Sequence, residues 1–85
     1  MKHIKLDRRM NGYGDFKYTA RFMLSEKDQF CEMREWCWEQ WGASREFNLW
    51  SADKNPTWCW HMDDYRMQLY FATDKEYSFW LLKWT

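Results

Sequence analysis

SEKDQFCEMREWCWEQWG, residues 25–42, is the stretch on which the reading of this 85-residue chain turns. It carries a helix start signal, an apolar stripe and a helix stop signal in that order, the pattern of one amphipathic helix. The Ser25 hydroxyl can accept the backbone N–H of Asp28 while the Asp28 carboxylate reaches back, a shortened capping box. Glu26 and Asp28 place negative charge where the helix dipole favours it. On a 3.6-residue wheel Phe30, Met33, Cys37 and Trp41 form one stripe with Trp38 at its flank, and that stripe has to be buried against another element. Glu32, Glu35 and Glu39 fall on the water side, and Gly42 can close the helix in the left-handed conformation. Trp36 lies across the wheel from Trp38, so either the apolar face is wide or one indole is exposed. Arg34 stands one turn before Trp38, where a guanidinium can stack on the ring.

Upstream of this helix, residues 15–24 alternate: Phe16, Tyr18, Ala20 and Phe22 share one face, Lys17, Thr19 and Arg21 the other, as in a half-buried strand. Residues 3–9 alternate more weakly and read as a first strand or an arm, followed by turn chemistry at Asn11, Gly12 and Gly14. Downstream, residues 45–50 are a short strand candidate and residues 51–56 a loop. Residues 57–62 set Trp58, Trp60 and Met62 against Thr57, Cys59 and His61. Asp63 and Asp64 mark a turn, and residues 65–72 return with Met67, Leu69 and Phe71 opposite Arg66, Gln68 and Tyr70, so the two runs form a hairpin. Thr73 and Glu76 make a T-x-x-E capping box that favours a helix through residue 80 and a closing strand at 81–84; the alternative is a hairpin returning over 77–84. With the helix, the order is βαββαβ. The expected fold is therefore a single α+β domain over residues 1–85, ferredoxin-like or a variant, with an antiparallel sheet covered by helices on one face.

A chain of this length buries only about 60 to 65% of its unfolded surface, and large side chains have to compensate. Eight Trp, six Phe and five Tyr do so without a metal or disulfides. The net charge is zero, which argues against a nonspecific coat on nucleic acid. Its distribution is uneven: six bases against two acids in residues 1–24, and nine acids against four bases in residues 25–64, giving a basic and an acidic pole. Cys31, Cys37 and Cys59 are odd in number and read as free thiols of a reducing compartment. The start, MKHIKLDRRM, has no apolar leader-like core and no run approaches a membrane span, so a cytoplasmic protein without a membrane partner is expected.

The stretches REWCWEQWG (34–42) and LYFATDKEYSFWLLKW (69–84) resemble pieces of small proteins of unassigned function encoded by tailed phages, in which a strand, an acidic turn and an F-x-L-x-W-like ending recur. The resemblance spans about the last two-thirds of the chain. It implies an origin, and with it the cytoplasm of a host; it brings no catalytic or binding residues.

No Gly-rich phosphate loop and no Ser/His/Asp arrangement is present, so catalysis is not expected. Cys59 and His61 share a strand face but lack two further zinc ligands, and Cys31 and Cys37 are about 240° apart on their helix, so neither metal nor cofactor is expected. Eight indoles exceed what one core between a sheet and two helices hides easily, and Trp is enriched where proteins bind proteins. A protein-binding module using Trp36, Trp50 and Trp58, each at least partly exposed, is thus the expected function; a phage-encoded regulator or inhibitor of a host protein, or a homodimer, fits it. The alternative is single-stranded nucleic acid on the open sheet face, held by Lys17, Arg21 and Arg66 and stacked on Tyr70.

Overall fold

The computed structural model describes residues 1–9, 16–42, 44, 57–63 and 66–84. Alternating apolar side chains build a four-stranded antiparallel sheet from β1 (Lys2–Lys5), β2 (Tyr18–Phe22), β3 (Trp58–Met62) and β4 (Met67–Phe71), in the spatial order β1-β2-β4-β3. Helix α1 (Lys27–Trp41) follows β2 through a 3₁₀ turn at Leu24–Glu26, and α2 (Asp74–Trp84) follows β4. The α+β class and the single-sided helix layer agree with the sequence reading. The element order among the described residues does not: it is ββαββα, with β1 at the sheet edge beside β2 and no closing strand.

The reason lies at the C-terminal end. The Glu76 carboxylate accepts the backbone N–H of Thr73 at 3.1 Å and also its hydroxyl, which starts a helix at Asp74. Tyr77, Trp80, Leu81 and Trp84 then recur at i, i+3, i+4 and i+7 and pack on the core, so a helical period carries the chain through residue 84. At α1 the cap is displaced from Ser25. Glu26 accepts the N–H of Met23 at 2.9 Å while its own N–H donates to the Met23 carbonyl at 2.9 Å. The C-terminus closes as read, Gly42 taking φ 90° and donating its N–H to the Trp38 carbonyl at 2.9 Å.

Register places side chains in rows across the sheet. Facing the helices are His3, Ala20, Leu69 and Trp60 in one row, Lys5, Tyr18, Phe71 and Trp58 in the next, and Phe22, Met67 and Met62 in a third. Phe30, Met33 and Cys37 of α1 and Trp80 of α2 close the main core over them. These three belong to the stripe read from sequence, and Trp41, its fourth member, is partly buried against the same core. The opposite face holds Lys2, Arg21, Gln68 and His61 in one row and Ile4, Thr19, Tyr70 and Cys59 in the other.

Phe16 departs from the alternation. Both Lys17 and Tyr18 stand against Phe71, Lys17 donating its N–H to the Phe71 carbonyl at 3.0 Å, the arrangement of a β-bulge. The extra residue shifts the phase by one, and Phe16 emerges on the face away from the helices, fully buried with Leu6, Cys59 and Tyr70. That face is consequently half covered by a second, small apolar cluster.

Edge strand β1 is tied to α2 by His3, whose Nδ1 lies 2.7 Å from the Tyr77 hydroxyl and whose ring meets Trp80 edge-on at 5.7 Å. Tyr77 in turn stacks on Tyr18 at 4.5 Å, and the Tyr18 hydroxyl donates to Asp74. Tyr77→Phe keeps the stack and removes the His3 bond. Its expected cost is about 0.5–1.5 kcal/mol, a melting-temperature decrease of several degrees by circular dichroism.

Candidate functional site

Helix α2 is apolar on two sides. Its inner stripe fills the core, yet Phe79 and Leu82 sit off that stripe and remain 47% and 84% exposed. An apolar outer face on a helix is a face that favours a further cover. Phe79 is also not isolated: its ring lies 5.5 Å from that of Trp36 and 6.2 Å from that of Trp41, both on α1. Trp36 meets Trp41 edge-on at 5.6 Å and Trp84 at 6.3 Å. The result is an aromatic seam between the two helices. Beside it runs a groove of about 630 Å³ lined by Trp41, Thr57, Lys75, Glu76, Phe79 and Leu82.

Of the three indoles expected at a protein contact, Trp36 lies in this seam, half-buried. Trp50 lies outside the described residues. Trp58 is a correction: it is fully buried, its Nε1 donating to the Gly42 carbonyl at 2.9 Å. With the Ser44 hydroxyl donating to the Trp58 carbonyl at 2.8 Å and Trp60 Nε1 donating to the Ser44 carbonyl at 3.0 Å, strand β3 clamps the exit of α1. Trp58 is therefore structural. Trp38 is the exposed indole of α1, at 46%. Arg34 does not stack on Trp38; its guanidinium lies 4.7 Å from the ring of Trp60, across the helix–sheet contact.

The sequence reading missed Phe79 and Leu82. Phe79 falls within the helix expected through residue 80 and a strand over 81–84 hides Leu82, whereas continuing the helical period from Tyr77 to Trp84 puts both outside on one face.

The residues assigned to the open sheet face divide. Arg21, Arg66 and Tyr70 line one concavity of about 640 Å³ together with Lys2, Ile4, Thr19 and Gln68. Lys17 lines a different one, with Tyr18, Thr73 and Asp74, because the bulge turns it away. Tyr70 is not a stacking platform: it is 5% exposed, tilted against Phe16 at 5.8 Å, and its hydroxyl donates to Gln68 Oε1 at 3.2 Å. Burial pushes its phenol up to about 12.

Cys59 is buried in the small cluster, and His61 Nε2 lies 2.9 Å from Asp63 Oδ2. Among the described residues no three His, Cys, Asp or Glu side chains gather as a metal site, and no helix is long and apolar enough to cross a membrane. Comparison with protein-family models, with curated proteins and with solved structures returned no match.

Proposed function

We propose that the chain is a non-enzymatic protein-binding module whose contact surface is the seam between α1 and α2. What carries this reading is Leu82 and Phe79 standing outside the core on one helix, continuous with Trp36 and Trp41 of the other. Side chains of this kind are the aromatic and aliphatic anchors that dominate interface energetics. The groove beside Phe79 suits an amphipathic segment of the partner, with Lys75 and Glu76 at its rim. The resemblance to small tailed-phage proteins favours a host protein as that partner and a regulator or inhibitor as the role. The burial of Tyr70 weighs against single-stranded nucleic acid on the sheet, which needs an accessible ring for the bases.

The sheet supports a finer reading of the fold as well. Strands β2 and β3 flank β4 and are joined through α1, a split β-α-β unit, and β1 occupies the edge that a closing strand takes in a ferredoxin-like domain. On this reading the domain is a ferredoxin-like variant whose fourth strand comes from the N-terminal side.

The test is capture of a partner from host extract by the wild-type chain, its identification, and titration of the purified partner against a Phe79→Ser, Leu82→Lys double variant. The expected loss of affinity is about 30-fold or more, the range of interface hot spots, at unchanged far-ultraviolet circular dichroism. Self-association abolished by the same double variant identifies a second copy of the chain as the partner. Equal affinity in wild type and variant overturns the assignment of the seam.

A further inference from the structure

The sheet face opposite the helices has an electrostatic peculiarity that the seam does not use. In the cross-strand row Lys2–Arg21–Gln68–His61, two cations stand directly opposite each other on antiparallel neighbours. Like charges so placed destabilise a sheet. Arg66, just before β4, lines the same concavity as Gln68 and adds a third cation to it, with Lys5 also in its lining. None of the described residues lining it is acidic. His61, at the far end of the row, is already engaged with Asp63.

The donors there are also under-used. Arg21 Nε is buried without a hydrogen-bond partner, and among the described residues neither Arg21 nor Arg66 has a carboxylate within ion-pair distance. A buried donor left unmade costs free energy that a ligand oxygen can recover. Gln68 is held by its neighbours: its Oε1 accepts from the Tyr70 hydroxyl, while Nε2 lies 3.5 Å from Thr19 Oγ1 and keeps a second hydrogen to give. Ile4 and Leu6 are the aliphatic members of its lining. Guanidinium, ammonium and amide hydrogens in one concavity, with no carboxylate among its described lining residues, favour a multiply charged oxyanion.

We propose that the concavity on the sheet face opposite α1 and α2, bounded by Lys2, Arg21, Arg66 and Gln68, binds the phosphate group of a phosphate ester or a pyrophosphate. Two guanidinium groups and an ammonium match a dianion better than a single carboxylate, and the volume of about 640 Å³ leaves room for more than one phosphoryl group. The proposal concerns a surface separate from the α1–α2 seam and stands or falls independently of the protein-binding reading.

The experiment is thermal denaturation of the full chain in sodium pyrophosphate, against sodium chloride matched in ionic strength. With pyrophosphate at about ten times a millimolar Kd, the expected rise in Tm is about 5 to 10 °C. Arg66→Gln, at an exposed position, removes the rise while keeping the fold; Lys2→Gln reduces it; Lys75→Gln, on the α2 groove, leaves it intact. Arg21→Gln removes it too, and Arg66→Gln keeps the test decisive if that variant fails to fold. An equal rise in chloride shows screening alone and overturns the proposal, as does loss of the rise in Lys75→Gln. A mixed-sequence single-stranded 12-mer that raises Tm where pyrophosphate does not also overturns it, in favour of a strand-binding face.

Discussion

Trp58→Ala is expected to cost about 3–5 kcal/mol of stability, the largest effect of any single indole in the described residues. Trp58 is fully buried between the sheet and α1, and its ring meets that of Trp38 edge-on at 6.4 Å. Truncation leaves a cavity of indole size, and it also strands the Gly42 carbonyl, which accepts from Nε1 at 2.9 Å. Because Gly42 ends α1, the loss reaches the helix exit as well as the core. For a domain of this size the decrease corresponds to a Tm lower by roughly 15–30 °C. Trp58→Phe separates the two contributions: it retains much of the ring volume but not the hydrogen bond, and an intermediate cost of about 1–3 kcal/mol is expected. Urea denaturation followed at 222 nm measures both. Trp38→Ala, at a 46% exposed position, is the comparison, expected to cost less than about 1 kcal/mol. Equal losses for the Trp58 and Trp38 variants contradict the placement of Trp58 in the core.

The second large effect is alkaline unfolding. The Tyr70 phenol is pushed up to about 12 by burial, an effect that Arg66 and Arg21 only partly offset. Tyr18 is raised by its hydrogen bond to Asp74 and by burial, and Tyr77 by burial. Burial also raises the Cys37 thiol. All four groups are neutral when protonated, and the folded chain holds their protons more tightly than the unfolded chain, in which a tyrosine titrates near 10. The unfolded state therefore loses protons first as pH rises. The stability these groups contribute is fully present below their unfolded values and is lost as pH climbs through the folded ones. Urea midpoints are expected to stay level from about pH 7 to 8 and to fall steeply between about pH 10 and 12. Phenolate absorbance at 295 nm should show late-titrating tyrosines, the latest of them absent in Tyr70→Phe, with a shallower alkaline fall in that variant. An unchanged profile in Tyr70→Phe contradicts the burial of Tyr70. On the acid side Glu26 acts in the opposite sense. Its carboxylate is lowered by the Met23 backbone N–H and then by the chain's amino group, so its contribution is lost as pH drops through the folded value.

The sheet and α1 were legible because their periods are local properties of the chain. Trp58, Trp60 and Met62 alternate with Cys59 and His61 whatever the rest of the chain does, and the hairpin of β3 and β4 has the faces that alternation implies. The stripe of Phe30, Met33, Cys37 and Trp41 is equally local, the first three buried and Trp41 partly so. Three features depended on non-local contacts and were read differently. Residues 81–84 carry side chains that suit a strand edge as well as a helix, and only the core offered to Trp80, Leu81 and Trp84 decides for the helix. The bulge at Lys17 is set by the Phe71 carbonyl on another strand, and nothing in the alternation of residues 16–22 announces it. Which indole is exposed is likewise a tertiary matter: Trp58 is buried with its Nε1 on the Gly42 carbonyl, and Trp60 Nε1 reaches the Ser44 carbonyl, while Leu82 stands exposed on a helix that runs past residue 80. Trp36 was singled out for its place across the wheel from Trp38, and that same placement brings it against α2.

The most direct test of the seam as a contact surface is photo-crosslinking from a benzoyl-phenylalanine placed at Leu82, with the same group at Glu32, an exposed position of α1, as reference. In host extract, one discrete adduct from position 82, competed away by excess unlabelled wild-type chain and absent from position 32, is the predicted result. An adduct pattern shared by the two positions, or one formed from Arg66 on the sheet face and not from Leu82, contradicts it.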